Sequence, residues 1–205
     1  MEFDEVCGMP IMLNVEVDTC ELKYATVCRK PVHHNACDAK TMSTLHPEGA
    51  HIVSVAVDTA GGCFVYTESG TVHANMFVMK PLYALDSILP PDSVVHAFLF
   101  TNKAGAVNLG LFDVTRISGV SLMNKSVLER YIILDKMIRS GCEERPMPAH
   151  VSCHWVGHEA ACMDFICNNS TSFVANSVMR VPTDPRTEQC MLVLRPIFVP
   201  PTPVW

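Results

Sequence analysis

Apolar and polar positions along this chain of 205 residues fall into short runs rather than long helical stripes. His51-Ile-Val-Ser-Val-Ala-Val57, Cys63-Phe-Val-Tyr66, Val72-His-Ala-Asn-Met-Phe-Val-Met79, Ser93-Val-Val-His-Ala-Phe-Leu-Phe100 and Ala106-Val-Asn-Leu-Gly-Leu-Phe112 have strand length and β-branched or aromatic content. Asp58-Thr-Ala-Gly-Gly and Glu68-Ser-Gly punctuate the first three as turns. Further strands are expected over 151–157, 162–167, 172–180 and 190–199. Together they make about nine strands, at the spacing of an antiparallel barrel or sandwich. The Pro-rich end, 196–203, is unsuited to a central strand and is expected on the surface or against a partner subunit.

One stretch reads differently. From Lys125 to Arg139 the apolar residues Val127, Leu128, Tyr131, Ile132, Leu134 and Ile138 recur at helical spacing. Ser126-x-x-Glu129 is a capping box and Gly141 a stop signal. The expectation is one principal helix over about 125–139 in an otherwise β-rich chain. Tyr131 on this stripe points toward packing, where its hydroxyl needs a partner.

Composition narrows the class. With 49% hydrophobic and 18% charged residues the chain can bury a core as a single unit, here taken as residues 1–205. No apolar run approaches the roughly 20 residues that span a bilayer. The acidic start, Met1-Glu-Phe-Asp-Glu-Val6, lacks the basic and then apolar regions of a signal peptide, so a cytoplasmic protein is expected. Ten irregularly spaced cysteines in a chain of this size are expected as reduced thiols. A net charge of −6 argues against duplex nucleic acid as partner, because such binding neutralises many phosphates.

Three clusters could carry chemistry. His33 and His34, within Pro31-Val-His-His-Asn-Ala-Cys-Asp38, offer imidazoles that titrate near neutral pH and can give or take a proton. His150, Cys153, His154, His158 and Cys162 are enough ligands for zinc, but along strands they alternate faces, and no Cys-x-x-Cys knuckle is present. No metal and no cofactor are expected. Nucleophile elbows and phosphate-cradling glycine loops are absent from the sequence; Ser140-Gly-Cys142-Glu is the nearest approach to a protease motif.

Tyr131, the Pro146-x-Pro148 pair, Trp155-x-Gly157 and the strand Ile52-Val-Ser-Val55 together resemble the poxins, cyclic-dinucleotide nucleases of poxviruses, baculoviruses and some insects. The resemblance implies two antiparallel β-barrels of chymotrypsin-like type and a homodimer. It also implies metal-independent opening of 2′,3′-cGAMP at its 3′-5′ phosphodiester by the ribose 2′-hydroxyl, which suppresses innate immune signalling in the host cytosol. By the same resemblance the catalytic residues would be His34, Tyr131 and Lys136, with His33, Lys125 and Arg130 as possible substitutes. The chemistry asks for a base, a donor to the departing oxygen and a cation beside the phosphate, which these residue types supply. One departure is plain: the family's Lys follows its Tyr by four residues, where this chain has Asp135, and Lys136 comes one place later. Residues five apart on an ideal helix differ in direction by roughly 140°. Two other readings follow from the residues. One is a catalytically altered poxin-like protein that binds a nucleotide or a host protein. The other is a chymotrypsin-like viral cysteine protease with His34 as base and Cys142 or Cys153 as thiolate.

Overall fold

The computed structural model describes residues 27–28, 41–57, 63–67, 72–73, 85, 88–144, 151–153, 156–157, 171–182 and 192–196. Its strands are β1 (Val27–Cys28), β2 (Thr41–Pro47), β3 (His51–Val57), β4 (Cys63–Thr67), β5 (Val72–His73), β6 (Ser93–Thr101), β7 (Val107–Ile117) and β8 (Val120–Ser121). After the helix α1 (Val127–Glu144) come β9 (Val151–Cys153), β10 (Val156–Gly157), β11 (Ala175–Pro182) and β12 (Leu192–Pro196). The β-rich class with one principal helix is therefore observed. The strands form two sheets, one in the order β1-β12-β11-β2-β10 and one in the order β5-β4-β3-β6-β7-β8, with β9 added in parallel to β7.

The larger sheet is buried on both faces, and the alternation of its strands shows how. Val53, Val55 and Val57 of β3, with Val95, Ala97 and Leu99 of β6 and Leu109 and Leu111 of β7, line one face. Leu134 and Ile138 of α1, together with Leu85 and Leu89, cover that face. The opposite face presents Ile52, Phe98, Phe100 and Phe112, which pack against Met42 of β2 and Met179 of β11 from the smaller sheet. A strand buried on both sides reads as a near-continuous apolar run, and β6 is one apart from buried Ser93 and His96.

Several local expectations are corrected. Thr41–Pro47 forms β2, paired with β11 along its whole length, although it carries two Thr, a Ser and a terminal Pro and gives only a weak strand signal. The run 151–157 is split between sheets: β9 pairs with β7, and β10 pairs with β2. Gly141 does not end the helix, which continues to Glu144; a Cβ there would meet Ile88 Cγ2 at 3.5 Å, an ordinary van der Waals contact. Pro146, two residues past the end, is the stronger stop, because it also disfavours helical geometry at Arg145. Leu128 and Ile132 are exposed, at 39% and 44%. The buried stripe is instead Val127, Arg130, Leu134 and Ile138. Pro196 is the last residue of β12, which lies between β1 and β11 rather than on an edge; the rest of the Pro-rich end falls outside the described residues.

The capping box forms as read. Glu129 Oε2 accepts from Ser126 N at 2.8 Å and from Ser126 Oγ at 2.7 Å, and Ser126 Oγ accepts from Glu129 N at 3.4 Å. These bonds to its charged form lower the carboxyl's pKa. Among the described residues no helix is long and apolar enough to cross a membrane. Cys63 is a buried thiol in the core.

Candidate functional site between the two sheets

Aromatic side chains concentrate where the sheets face each other. Phe98 stacks on Phe112 with ring centroids 4.5 Å apart, and His46, at the end of β2, meets Phe98 edge-on at 5.3 Å. Phe100 takes Phe173 edge-on, also at 5.3 Å. Phe98 and Phe112 are fully buried, whereas Tyr131, Phe173 and Ala50 pack against the cluster half-buried and form its partly exposed rim. Strand alternation places Phe98 and Phe100 two residues apart on one face of β6, and the hairpin turn after Pro47 brings His46 to the same region. Phe98, Phe100 and Phe112 are core, so ring surface reaches the edge of the cluster only at half-buried Tyr131 and Phe173.

Beside these rings, with Ser54 and His96 on the same sheet face as Ile52 and Phe98, lies a buried polar network. His96 Nδ1 is 2.8 Å from Ser54 Oγ, and Nε2 is 3.2 Å from Thr115 Oγ1, so both ring nitrogens are engaged. Burial pushes the His96 pKa down from 6.5 to about 4; Asp113 opposes this and Arg130 adds to it. Asp113 accepts from Arg130 through both carboxylate oxygens, at 2.9 and 2.7 Å, and Arg130 Nη1 donates to the Lys125 carbonyl at 2.8 Å. Full burial and mutual satisfaction give this network a structural role.

The residues singled out in the sequence are described only in part. His33 and His34 lie outside the described residues, as do His150, His154, His158 and Cys162. Tyr131 reaches the rim of the aromatic cluster, while Lys136 is exposed on α1. Asp135, in the place where the nuclease family has Lys, is paired with Arg139 at 2.8 Å. Arg130 is corrected as a phosphate-binding substitute: its guanidinium is buried and committed to Asp113 and Lys125. Cys142 belongs to the end of α1 and Cys153 to β9. His46, Phe98, Phe100, Phe112 and Phe173 were not legible as a group, because they come from separate strands and from the segment before β11. The one available signal was the doubly apolar β6, which marks a strand covered on both faces.

No family model and no curated protein matches the chain. Solved structures do. The ligase domain of M. tuberculosis LigD superposes with a TM-score of 0.61 at 14% identity, over 88% of this chain and 61% of that one. This chain is similar in fold to a DNA ligase domain. A mycobacterial DNA ligase D complexed with ATP and MES gives a TM-score of 0.59 at 15% identity, over 88% of this chain and 62% of the ligase chain. A third, named Pmar-Lig, gives 0.51 at 12% identity, over 78% of this chain and 43% of the other. The chain thus spans about three-fifths of the first two ligase chains (61% and 62%). At these identities the likeness is one of fold.

Proposed function

We propose that this chain binds a nucleoside triphosphate of the ATP type against the aromatic wall between its two sheets. The observation that carries the reading is the aromatic cluster itself, Phe98 and Phe100 with Phe173, Tyr131 and His46 at its edge, set in a fold similar to that of a DNA ligase D complexed with ATP. A base stacked on aromatic side chains gains about 1–3 kcal/mol. The His46 imidazole can hydrogen-bond a ribose hydroxyl or phosphate oxygen. Net charge is no obstacle, since a single nucleotide needs only a local pocket rather than a basic surface.

Calorimetric titration with ATP, GTP and 2′,3′-cGAMP, each with and without magnesium, tests the reading. Saturable ATP binding that weakens in His46→Ala and Tyr131→Ala supports it. Absence of binding to ATP and GTP in both conditions ends it. Radiolabel from α-labelled ATP that stays on denatured protein would add nucleotidyl transfer to binding.

A second reading keeps the poxin resemblance: metal-independent cyclic-dinucleotide cleavage in barrels of chymotrypsin type, as a cytosolic homodimer, with His34, Tyr131 and Lys136 acting on the phosphodiester. Its support is that Tyr131 lies against the same aromatic cluster. Linear product from 2′,3′-cGAMP in EDTA is the result it requires.

A further inference from the structure

Leu128 and Ile132 of α1 take part in neither reading above. They are 39% and 44% exposed, while Val127, Arg130, Leu134 and Ile138 turn another side of the helix into the fold. Lying four residues apart, the two side chains sit one turn above the other and make a single apolar ridge on the surface. Glu129, Lys136 and Arg139 border the ridge and are exposed as well.

The ridge is complementary to a second copy of itself run in the opposite direction. In an antiparallel helix pair related by a two-fold axis, each contact made by one copy is made again by the other. With the axis at the level of Arg130, Leu128 meets the partner's Ile132 and Ile132 meets the partner's Leu128, so that one pair of residues supplies two apolar layers.

The charges agree with this register. The capping box holds the Glu129 carboxylate toward the start of the helix, with Oε2 2.8 Å from Ser126 N and 2.7 Å from Ser126 Oγ, and therefore away from the axis and from the partner's Glu129. That is the level reached by the partner's Lys136, because a helical side chain leans toward its own N-terminus and this one leans toward the axis. Lys125 comes level with the partner's Asp135. Opposite signs thus meet on both flanks of the apolar layers, and the two helix dipoles are opposed.

We propose that the ridge of Leu128 and Ile132 is a self-association surface, at which two copies of this chain pair through antiparallel α1 helices with Glu129 of each against the partner's Lys136. This pairing rests on α1 alone. It is independent of nucleotide binding and of the poxin resemblance, which implies a homodimer but no particular surface. Two apolar layers place the contact at the small end of specific interfaces, below roughly 1,200 Å², so the dimer dissociates on dilution.

Sedimentation velocity of the full chain from about 1 µM to about 1 mM tests the pairing, since contacts of this size associate in that range. Wild type should pass from monomer to dimer. Ile132→Lys and Lys136→Glu should each weaken the dimer by about tenfold or more, because every substitution acts twice across the axis. Glu129→Lys should do the same, and an equimolar mixture of Glu129→Lys with Lys136→Glu should restore dimers, since each lysine then faces a glutamate of the other chain. A wild-type chain that stays monomeric throughout overturns the proposal. Dimers of equal strength in wild type, Ile132→Lys and Lys136→Glu overturn it as well, by placing self-association on another surface. Weakened single variants whose mixture does not recover overturn the antiparallel register. Should Glu129→Lys fail to fold for want of its cap, Ile132→Lys and Lys136→Glu, both at exposed positions, decide the matter.

Discussion

Arg130 of α1 grips Asp113 of β7 through two hydrogen bonds, Nε to Oδ1 at 2.9 Å and Nη2 to Oδ2 at 2.7 Å, with side chains only 3% and 0% exposed. Asp113 Oδ1 also accepts from Val114 N at 2.8 Å, so the carboxylate joins the helix to a register shift in the long strand. Charges this deep are costly to strand singly. Arg130→Met should lower unfolding free energy by about 3–5 kcal/mol in urea titration, whereas Arg130→Met combined with Asp113→Leu should recover part of the loss. Additive losses in the double variant would show that the two groups do not act as a pair.

Neutral His96 is built into the native state. Its pKa is pushed below 6.5, to about 4, mainly by burial, with Asp113 and Arg130 as the neighbouring charges. In the unfolded chain the ring takes up a proton below about pH 6.5 that the folded protein refuses until about pH 4. Stability from this group is therefore full above pH 6.5, falls as pH drops through that window, and is lost by about pH 4, on the order of 3 kcal/mol in all. His96→Gln should flatten that part of the stability curve. An unchanged slope between pH 6.5 and 4 would mean that other groups set the acid limb.

Two turns meet at Asp92. It has φ of 56°, its carboxylate holds Arg116 at 2.9 Å, and its carbonyl accepts from Gly119 N at 2.8 Å. The β7–β8 turn itself puts Ser118 and Gly119 at φ of 47° and 79°, both positive as a tight two-residue hairpin requires. A Cβ on Gly119 would stand 2.8 Å from Asp92 Oδ2. Gly119→Ala should therefore destabilise by about 1–3 kcal/mol, through strain and through displacement of the Asp92 carboxylate. Ser118→Gly should change stability by no more than about 1 kcal/mol in either direction. Thermal melts of the two variants give the comparison, and a melting point for Gly119→Ala equal to that of wild type would contradict the geometry.

For the cyclic-dinucleotide reading, the exposed position of Lys136 and the rim position of Tyr131 separate two roles. If the protein opens 2′,3′-cGAMP, His34→Ala and Tyr131→Phe should each slow turnover by about 10²- to 10⁴-fold with unchanged melting temperature. Lys136→Ala should raise KM more than it lowers kcat if the residue only attracts the phosphates. Chromatography of the reaction in EDTA reads all three, and full activity in Tyr131→Phe would remove the tyrosine from the chemistry.

Strand content was the most legible part of the fold. The run His51–Val57 appears as β3 with unchanged ends, and Cys63–Thr67 and Ser93–Thr101 each extend the expected run by one residue. Apolar runs of β-branched residues carry their own signal. Thr41–Pro47 does not, because its residues are small or polar and its strand state comes from pairing with β11 across more than a hundred residues of chain. The helix was legible from its cap, less so from its stripe. Arg130 reads as a solvent-facing cation in sequence and is buried only because Asp113 waits opposite it, while Leu128 and Ile132 read as core and face outward.

The candidate site was largely illegible for a related reason. His46, the β6 pair Phe98 and Phe100, Phe112 and Phe173 come from four separate stretches of the chain, and each alone is an ordinary strand or loop residue.

Residue type and alternation by themselves determined that the described residues are mainly β with one principal helix, because these depend on side-chain chemistry over a few neighbouring positions. Which strands pair, and therefore which aromatic rings meet between the two sheets, was decided by tertiary structure alone. Long-range pairing is a choice among many registers of similar local energy, and the joint burial of side chains from distant strands, such as Phe98 and Phe112 with Met42 and Met179, favours the one observed.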